Sequence, residues 1–410
     1  MISQQNKVNI FLRVALLTFS GCVLMTFASG IRNSYGLLLN PIIEHSGVAL
    51  ASVSLVFAVG QLVYGCVQPL FGILAAKKGG AFTLILGVCV LTVGLVLAPY
   101  SQSMVMLMLC FGIILPTGFG ILAFSIIVGT LAQKIPRSTL LTVSGFVNAC
   151  MGLGNIVMSP IINALLRTGG LRFAMHTLTF PALAMIPVSF FLGKKLKAQT
   201  IEMQEREFPT AEDNPLEIKP LFLSALKSRT YQFLMIGFFT CGFHMAVITN
   251  HLAAQFVAYS FSPDYAAYAF LLYGVTTIVG SLLSASLCNR LKMKNVLGTM
   301  YGLRPITIFV FFFLPRTVPV LTAFTALLGF SGASTAPPVT GLINKNFGAK
   351  SIAILFGFVL VVHQVGGFFG AWLGGLIFTA TGNYYGVWLI SLVISAVASV
   401  VSFAIRENRS

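Results

Sequence analysis

Apolar stretches of roughly 20 residues recur along the whole of this chain, and each is long enough to cross the hydrocarbon core of a bilayer. Hydrophobic residues make up 57% of the positions and charged residues only 8%, whereas soluble domains carry roughly a quarter charged residues. The composition therefore predicts an all-α, polytopic membrane protein whose partner is the lipid bilayer. Charges, Pro/Gly clusters and polar turns divide the chain into predicted spans at 11–39, 50–75, 80–99, 104–131, 140–166, 171–193, 230–258, 264–288, 295–314, 318–344, 351–379 and 382–405.

The 25 Lys and Arg residues give a formal net charge of +16, and their positions orient the predicted spans. Twenty of them fall on the same side of the membrane as the N-terminus, three (Arg167, Arg172 and Arg316) fall on the opposite side, and Arg32 and Arg304 lie inside spans. Because cytoplasmic loops carry the excess of Lys and Arg, both termini are predicted to be cytoplasmic. The same bias explains the basic charge without a nucleic-acid partner.

One polar segment, residues 194–229, separates two groups of six predicted spans. It mixes acidic residues with Lys and Arg and contains Pro209, Pro215 and Pro220, which is typical of a mobile linker. We therefore expect an N-terminal six-helix bundle in residues 1–193, a cytoplasmic linker, and a C-terminal six-helix bundle in residues 230–410. Two such bundles can rock about a central site.

The loops after the second and the eighth predicted span are similar in sequence and occupy the same place in their halves. They read Gly72-Ile-Leu-Ala-Ala-Lys-Lys-Gly-Gly80 and Ala285-Ser-Leu-Cys-Asn-Arg-Leu-Lys-Met-Lys294. Both resemble the loop signature of the major facilitator superfamily, G-x-x-x-D-R-x-G-R-R, although Ala76 and Asn289 replace its Asp. The resemblance implies a major facilitator fold, with 12 transmembrane helices arranged as two six-helix bundles around a central cavity.

Further stretches resemble the bacterial monocarboxylate-porter-like branch of that superfamily, which includes the oxalate:formate antiporter. They are Gly30-Ile-Arg-Asn-Ser-Tyr-Gly36, Gln68-Pro-Leu-Phe-Gly72, Asn250-His-Leu252, Tyr301-Gly-Leu-Arg304 and the run from His363 to Gly375. The resemblance covers nearly the whole chain and implies a carrier of small organic anions, often driven by protons, in a bacterial inner (plasma) membrane. The characterised carboxylate porters have a cation in the eighth span, and the eighth predicted span of this chain has none.

Arg32 and Arg304 are the two permanent charges inside the predicted spans, where an ionised side chain costs at least roughly 2.5 kcal/mol at the helix centre. Because a planar guanidinium fits a carboxylate or a phosphate, both residues are candidate substrate anchors. Arg304 follows Lys294 by ten residues, about 15 Å along a helix, which places it near the midplane. The alternatives are that Arg32 snorkels to the headgroups and that Arg304 bonds to backbone carbonyls freed near Pro305.

Histidines offer the titratable groups of the predicted spans, because all nine acidic residues lie in loops or at helix ends. A proton relay through a buried carboxylate is therefore not available. Proton-coupled transport, such as symport, would rest on His251 or His363, or on a proton that the substrate itself carries. The alternative for each, and for His244, is a neutral side chain that joins two helices by a hydrogen bond.

Uncharged polar residues of the predicted spans could add hydrogen bonds to the central cavity. Tyr35 follows Arg32 by three residues and therefore shares its helix face. An ordinary interhelical contact is the alternative for each residue of this set. The candidate substrate-binding residues are thus Arg32, Tyr35, Asn148, Asn250, Tyr273, Tyr301, Arg304 and Gln364.

Seven scattered Cys residues without a CxxC pair indicate neither a disulfide framework nor a zinc site, and we expect no metal and no cofactor. Three functions stay open at this stage. One is a monomeric carrier of a small organic anion, and another is an exporter of larger amphipathic compounds, which the 36 Phe and 14 Met residues would suit. The third is a non-transporting receptor or enzyme on the same scaffold, although HExxH and nucleophile-elbow motifs are absent from the sequence.

Overall fold

The computed structural model describes residues 4–135, 137–194, 218–348 and 351–407, and these residues form helices without any strand. The helices of the first half are Gln4–Asn33, Tyr35–Ser46, Leu50–Lys78, Gly80–Leu97, Met104–Leu107, Leu115–Ile121, Phe124–Ala132 and Arg137–Gly193, with a π-helix at Met108–Ile114. Those of the second half are Ile218–Lys227, Arg229–Ala258, Pro263–Cys288, Met293–Phe313, Val318–Gly332, Ala336–Phe347, Ile352–Thr381 and Tyr385–Phe403.

Eleven helical segments of the described chain are long and apolar enough to cross a membrane, and one of them comprises two spans. Val143–Gly193 has 51 residues, which is about 76 Å of helix and more than twice the thickness of the bilayer core. Its backbone leaves the helical conformation at Gly169 and Gly170, and Gly170 has a φ of 68°, which residues with a side chain rarely adopt. The protein therefore has the predicted twelve spans, six before residue 194 and six after residue 217.

Three spans are broken where the sequence predicted continuous helices. The first is interrupted at Ser34, the fourth at Leu122 and Ala123, and the tenth at the 3-10 turn Ala333–Thr335. In the tenth span, Pro337 shortly after the turn has no N–H to donate to the carbonyl of residue 333. Such breaks free backbone groups inside the membrane, and polar side chains of neighbouring spans can then satisfy them.

The two halves pack closely at the face opposite the chain termini, which we call the far face. A Cβ atom on Gly36 of the first span would stand 2.8 Å from the carbonyl oxygen of Thr249 in the seventh. Arg167 of the fifth span forms an ion pair with Asp264 of the eighth, and Asn163 Nδ2 donates to the same carboxylate at 2.6 Å. These contacts close the far face.

The predicted linker, 194–229, is described only in part. Residues 195–217 lie outside the described residues. Ile218–Lys227 form a helix, and it packs on the eleventh span through the stacked rings of Phe222 and Phe358, whose centroids are 3.9 Å apart. The end of the predicted linker is thus attached to the C-terminal half.

Candidate functional site

Two cavities separate the halves on the side of the chain termini, which we call the terminal face. One of about 430 Å³ lies between the second, fourth and eleventh spans, and its polar lining includes Gln68, Ser125 and Gln364. The other, of about 190 Å³, lies mainly between the fifth and eighth spans and is lined by Asn148 and Tyr273. Because the far face is closed, a solute would approach the middle of the protein from the terminal face.

Arg32 is half-buried in the N-terminal half and is held by uncharged partners. Its Nη2 atom donates to Gln61 Oε1 at 2.5 Å, and its Nη1 atom lies 3.4 Å from Asn33 Oδ1. The guanidinium also stacks on the ring of Tyr64, 3.8 Å from the centroid. None of these partners carries a negative charge, so the cation can still attract an anion.

The break in the fourth span lies beside Arg32. Arg32, Tyr64, Leu122 and Ala123 line one small cavity. The helix Phe124–Ala132 starts there without a side-chain cap. Because the N-terminus of a helix carries a partial positive charge, it reinforces the potential of the arginine.

Arg304 of the ninth span is fully buried and bonds to the break in the tenth span. Its Nη2 atom donates to the carbonyl oxygens of Ser331 and Gly332, each at 2.9 Å. In the 3-10 turn the N–H of Ala336 bonds to the carbonyl of Ala333, which leaves the Gly332 carbonyl without its α-helical donor. Arg304 therefore does bond to backbone carbonyls, which was the alternative to a role in substrate binding. The carbonyls belong to the break in the tenth span and not to the residues near Pro305.

Part of the Arg304 guanidinium has no hydrogen-bond partner. Its Nε and Nη1 atoms have no hydrogen-bond partner among the described residues. The hydroxyl groups of Tyr273 and Tyr301 are also buried and without a partner in the described chain, and the Tyr301 ring centroid lies 4.9 Å from the guanidinium carbon. Because buried polar groups are normally paired, these open donors on a buried cation are suited to an anionic acceptor.

Cys241 of the seventh span lies against Arg304, although nothing in the sequence pattern marks this residue. Its Sγ atom is 3.5 Å from Arg304 Nη2 and 3.5 Å from Thr335 Oγ1. The side chain of His363 in the eleventh span also lies close to it. A single Cys in an apolar helix carries no spacing signal, so only the fold brings it to the arginine.

The two histidines predicted to couple protons have different surroundings. His251 is buried, and its Nε2 atom donates to the carbonyl oxygen of Ala371 at 2.7 Å, which ties the seventh span to the eleventh. His363 is half-buried, its Nδ1 atom has no partner among the described residues, and its side chain contacts Cys241. The surroundings of His251 are those of a structural residue, whereas His363 belongs to the Arg304 group.

The remaining predicted substrate residues lie in several places. Tyr35 is buried among phenylalanine rings. Asn250 Nδ2 donates to the carbonyl of Ala246 in its own helix at 2.8 Å. Asn148 and Gln364 line the two cavities. The predicted residues that the fold brings together are Tyr273, Tyr301, His363 and Arg304.

A polar stripe on the second span was not predicted to take part in the site. Gln61, Tyr64 and Gln68 follow one another at spacings of three and four residues, so they share one helix face. Gln68 Oε1 accepts a hydrogen bond from Ser125 of the fourth span at 2.9 Å. The spacing of the stripe is the sequence signal that would have indicated it.

Comparison with known proteins places the chain among membrane transporters. The family model of the Major Facilitator Superfamily matches residues 19–257 and 234–410. Over 385 residues, the chain is 23% identical to the uncharacterised MFS-type transporter YcxA of Bacillus subtilis, covering 90% of this chain and 88% of that protein. Over 405 residues, it is 24% identical to the oxalate:formate antiporter of Oxalobacter formigenes, covering 93% and 88%.

Two further comparisons extend this result. The chain is 23% identical over 357 residues to monocarboxylate transporter 11 of Mus musculus, covering 85% of this chain and 77% of that protein. Among solved structures, a bacterial homolog of the human lysosomal transporter Spinster, in an inward-facing and unoccupied conformation, superposes with a TM-score of 0.76. The identity is 13% and the match covers 96% of each chain, so this likeness concerns the fold.

Proposed function

Since the chain belongs to the Major Facilitator Superfamily, we propose that it is a secondary active transporter that moves a small, monocarboxylate-like organic anion by alternating access. The observation that carries this proposal is the pair of arginines. Each half places one guanidinium beside a broken helix, Arg32 in the first half and Arg304 in the second. No carboxylate of the described residues contacts either guanidinium, so an anion entering between the halves would meet two cations that lack a carboxylate partner.

A carboxylate suits these cations better than a bulky amphipathic compound does. The Nε and Nη1 atoms of Arg304 have no partner among the described residues, so the guanidinium keeps N–H donors that a carboxylate can accept from. The buried hydroxyls of Tyr273 and Tyr301 can add two further donors. The names of two relatives, an oxalate:formate antiporter and a monocarboxylate transporter, support the same class of substrate.

The positive-inside bias supports cytoplasmic termini, and the two bacterial relatives support a bacterial inner membrane. In that orientation the far face is periplasmic. The ion pair of Arg167 with Asp264 holds this face closed, which corresponds to an inward-facing conformation. Transport would then require these contacts to separate while the cavities on the terminal face close. Where protons are coupled, His363 is the histidine placed to take part, because it contacts the Arg304 group.

The test is uptake of labelled formate, acetate, lactate and oxalate into proteoliposomes that hold the purified protein, with and without an inward proton gradient. We expect Arg304→Lys to abolish uptake of the transported acid, since a single ammonium on a flexible stem does not reproduce the fixed planar set of guanidinium donors. Arg32→Lys should lower the affinity.

The matched control is Arg172→Lys, because Arg172 is exposed at the far face and stacks on Tyr100 at 6.0 Å. This variant should transport like the unaltered protein. An Arg304→Lys protein that folds and binds the acid with unchanged affinity would contradict the assignment. Competition by hydrophobic cations rather than carboxylates would favour the exporter instead.

A further inference from the structure

We propose that Cys241 is the proton-exchanging counter-ion of Arg304, so that its thiolate takes up one proton whenever an anion binds the guanidinium. The inference rests on the proposed anion transport and adds to it the group that couples protons. The observation that prompts it is the 3.5 Å contact between Cys241 Sγ and Arg304 Nη2, in a place where neither side chain meets solvent appreciably.

A buried guanidinium favours a negative charge nearby, and no carboxylate supplies one here. In the described residues the acids are Glu44, Asp264 and Glu407, and each lies at or beyond the end of a helix. A thiol is more acidic than a phenol, so Cys241 is the group beside Arg304 that gives up a proton most readily. A thiolate next to Arg304 would neutralise a charge that is otherwise costly inside the membrane.

Both protonation states of the thiol find partners in the structure. A thiolate can accept hydrogen bonds from Arg304 Nη2 and Thr335 Oγ1, each at 3.5 Å. A protonated thiol can donate to the Gly332 carbonyl oxygen at 3.6 Å. The thiol can therefore be protonated and deprotonated without rearrangement of the neighbouring spans.

The groups that face this thiol come from four other spans. Arg304 and Tyr301 lie on the ninth span, Tyr273 on the eighth, Thr335 on the tenth and His363 on the eleventh. His244 of the seventh span lies close to Arg304 and is itself paired with Ser391 at 2.8 Å. Because Arg304 is the permanent charge of this group, it sets the preference for a thiolate.

The exchange balances in charge and in protons. In the empty site, the Cys241 thiolate is paired with the Arg304 guanidinium. An incoming carboxylate binds the open donors of the guanidinium and neutralises its charge, and the thiolate then binds one proton. The site gains one anion and one proton together, and it releases both on the other side of the membrane, which is electroneutral symport.

His363 offers the path for that proton. It lies close to Cys241 and is half-buried, whereas the thiol itself is only 3% exposed. The next residue, Gln364, lines the cavity of about 430 Å³ between the halves. A half-buried imidazole can receive a proton from water and pass it to the thiolate.

The first test reads the thiolate directly and needs no substrate. In a variant that keeps Cys241 and replaces the other six cysteines by Ser, the ligand-free protein in detergent should show the ultraviolet absorbance of a thiolate. Adding Arg304→Met should abolish that absorbance, and keeping the buried Cys110 instead of Cys241 should give none. A signal that is absent from the first variant, or equal with and without Arg304, would overturn the proposal.

The second test counts protons taken up per labelled carboxylate in proteoliposomes. Cys241→Ser should still move the anion but lose proton uptake, because a hydroxyl does not ionise in this range, and Cys241→Asp should restore it. Thermal unfolding in detergent checks that each variant is folded. Proton uptake by Cys241→Ser equal to that of the unaltered protein would refute the role of Cys241 and leave anion transport standing, whereas an unaltered protein that moves no carboxylate would refute the transport proposal itself.

Discussion

The Nη2 atom of Arg304 lies 2.9 Å from the carbonyl oxygen of Gly332, so a charge in the ninth span is bonded to the break in the tenth. The break supplies carbonyl oxygens that satisfy one side of the guanidinium, and this allows a permanent charge to be buried without a carboxylate. The other side keeps its donors free. Any movement of the tenth span would therefore shift the cation, so the proposed anion site would respond to a conformational change of that span.

Arg304→Met should both destabilise the protein and abolish anion binding. Without the guanidinium, the carbonyls of Ser331 and Gly332 lose their donor, and each unsatisfied buried group costs about 1–3 kcal/mol. Thermal unfolding in detergent and binding of labelled carboxylate are the measurements. Arg304→Lys should recover part of the stability, because an ammonium can still donate to a carbonyl, but it should not recover the binding. A stable Arg304→Met protein with intact binding would contradict both the structural and the binding role of Arg304.

Tyr64→Leu should weaken anion binding, because the ring of Tyr64 holds the Arg32 guanidinium at 3.8 Å. A cation–π contact of this kind contributes about 0.5–2 kcal/mol, which corresponds to a roughly twofold to thirtyfold loss of affinity. Tyr64→Phe keeps the ring and should bind almost like the unaltered protein. Equal binding by the Leu and Phe variants would show that the stacking does not position Arg32.

The spans and their division into six and six were predictable from the sequence, because an apolar stretch must be long enough to cross the bilayer and Lys and Arg accumulate on one side. The positions of Arg32 and Arg304 within spans also followed from residue counting. The breaks did not, because a helix that contains Gly and Pro can continue or stop, and the neighbouring spans decide which.

Cys241 illustrates why part of the site was beyond reach of the sequence. Its role depends on contacts with residues of the ninth, tenth and eleventh spans, which lie at least sixty residues away along the chain. The sequence showed that His251 and His363 both lie in spans. It did not show that His251 donates a hydrogen bond to the carbonyl of Ala371, whereas His363 lies close to the thiol of Cys241.

Asp264→Asn should shift the protein towards conformations with an open far face. Asp264 receives hydrogen bonds from Arg167 and Asn163, and it belongs to the other half of the molecule. Distances between spin labels at the exposed residues Thr168 and Tyr268 should report a larger separated population. The double variant Arg167→Asp with Asp264→Arg should restore the closed population. If Asp264→Asn has no effect and the double variant does not differ from Asp264→Asn, the ion pair does not hold the halves together.

Arg13→Gln should raise the pKa of Lys134, which lies in the loop after the fourth span. Burial is the main cause that lowers the pKa of Lys134 to about 8, and the positive charge of Arg13 is the second. Removing Arg13 therefore moves the pKa upward but leaves it below 10.5, so the amine stays charged to higher pH. The pH titration of isotope-labelled dimethyl-lysine by NMR measures this shift, and Arg172→Gln at the far face should leave the titration unchanged.

Gly366→Ala should destabilise the protein much more than Gly357→Ala, although both glycines lie on the eleventh span. A Cβ atom on Gly366 would collide with the carbonyl oxygen of Phe239 in the seventh span, whereas one on Gly357 would meet no atom within 4 Å. Backbone cannot move aside as a side chain does, so the first substitution must push two spans apart at a cost of about 1–3 kcal/mol or more. The second should stabilise slightly, because Ala favours a helix over Gly by roughly 1 kcal/mol. Thermal unfolding of the two variants in detergent measures the difference, and equal melting temperatures would show that the seventh and eleventh spans are not in contact at this glycine.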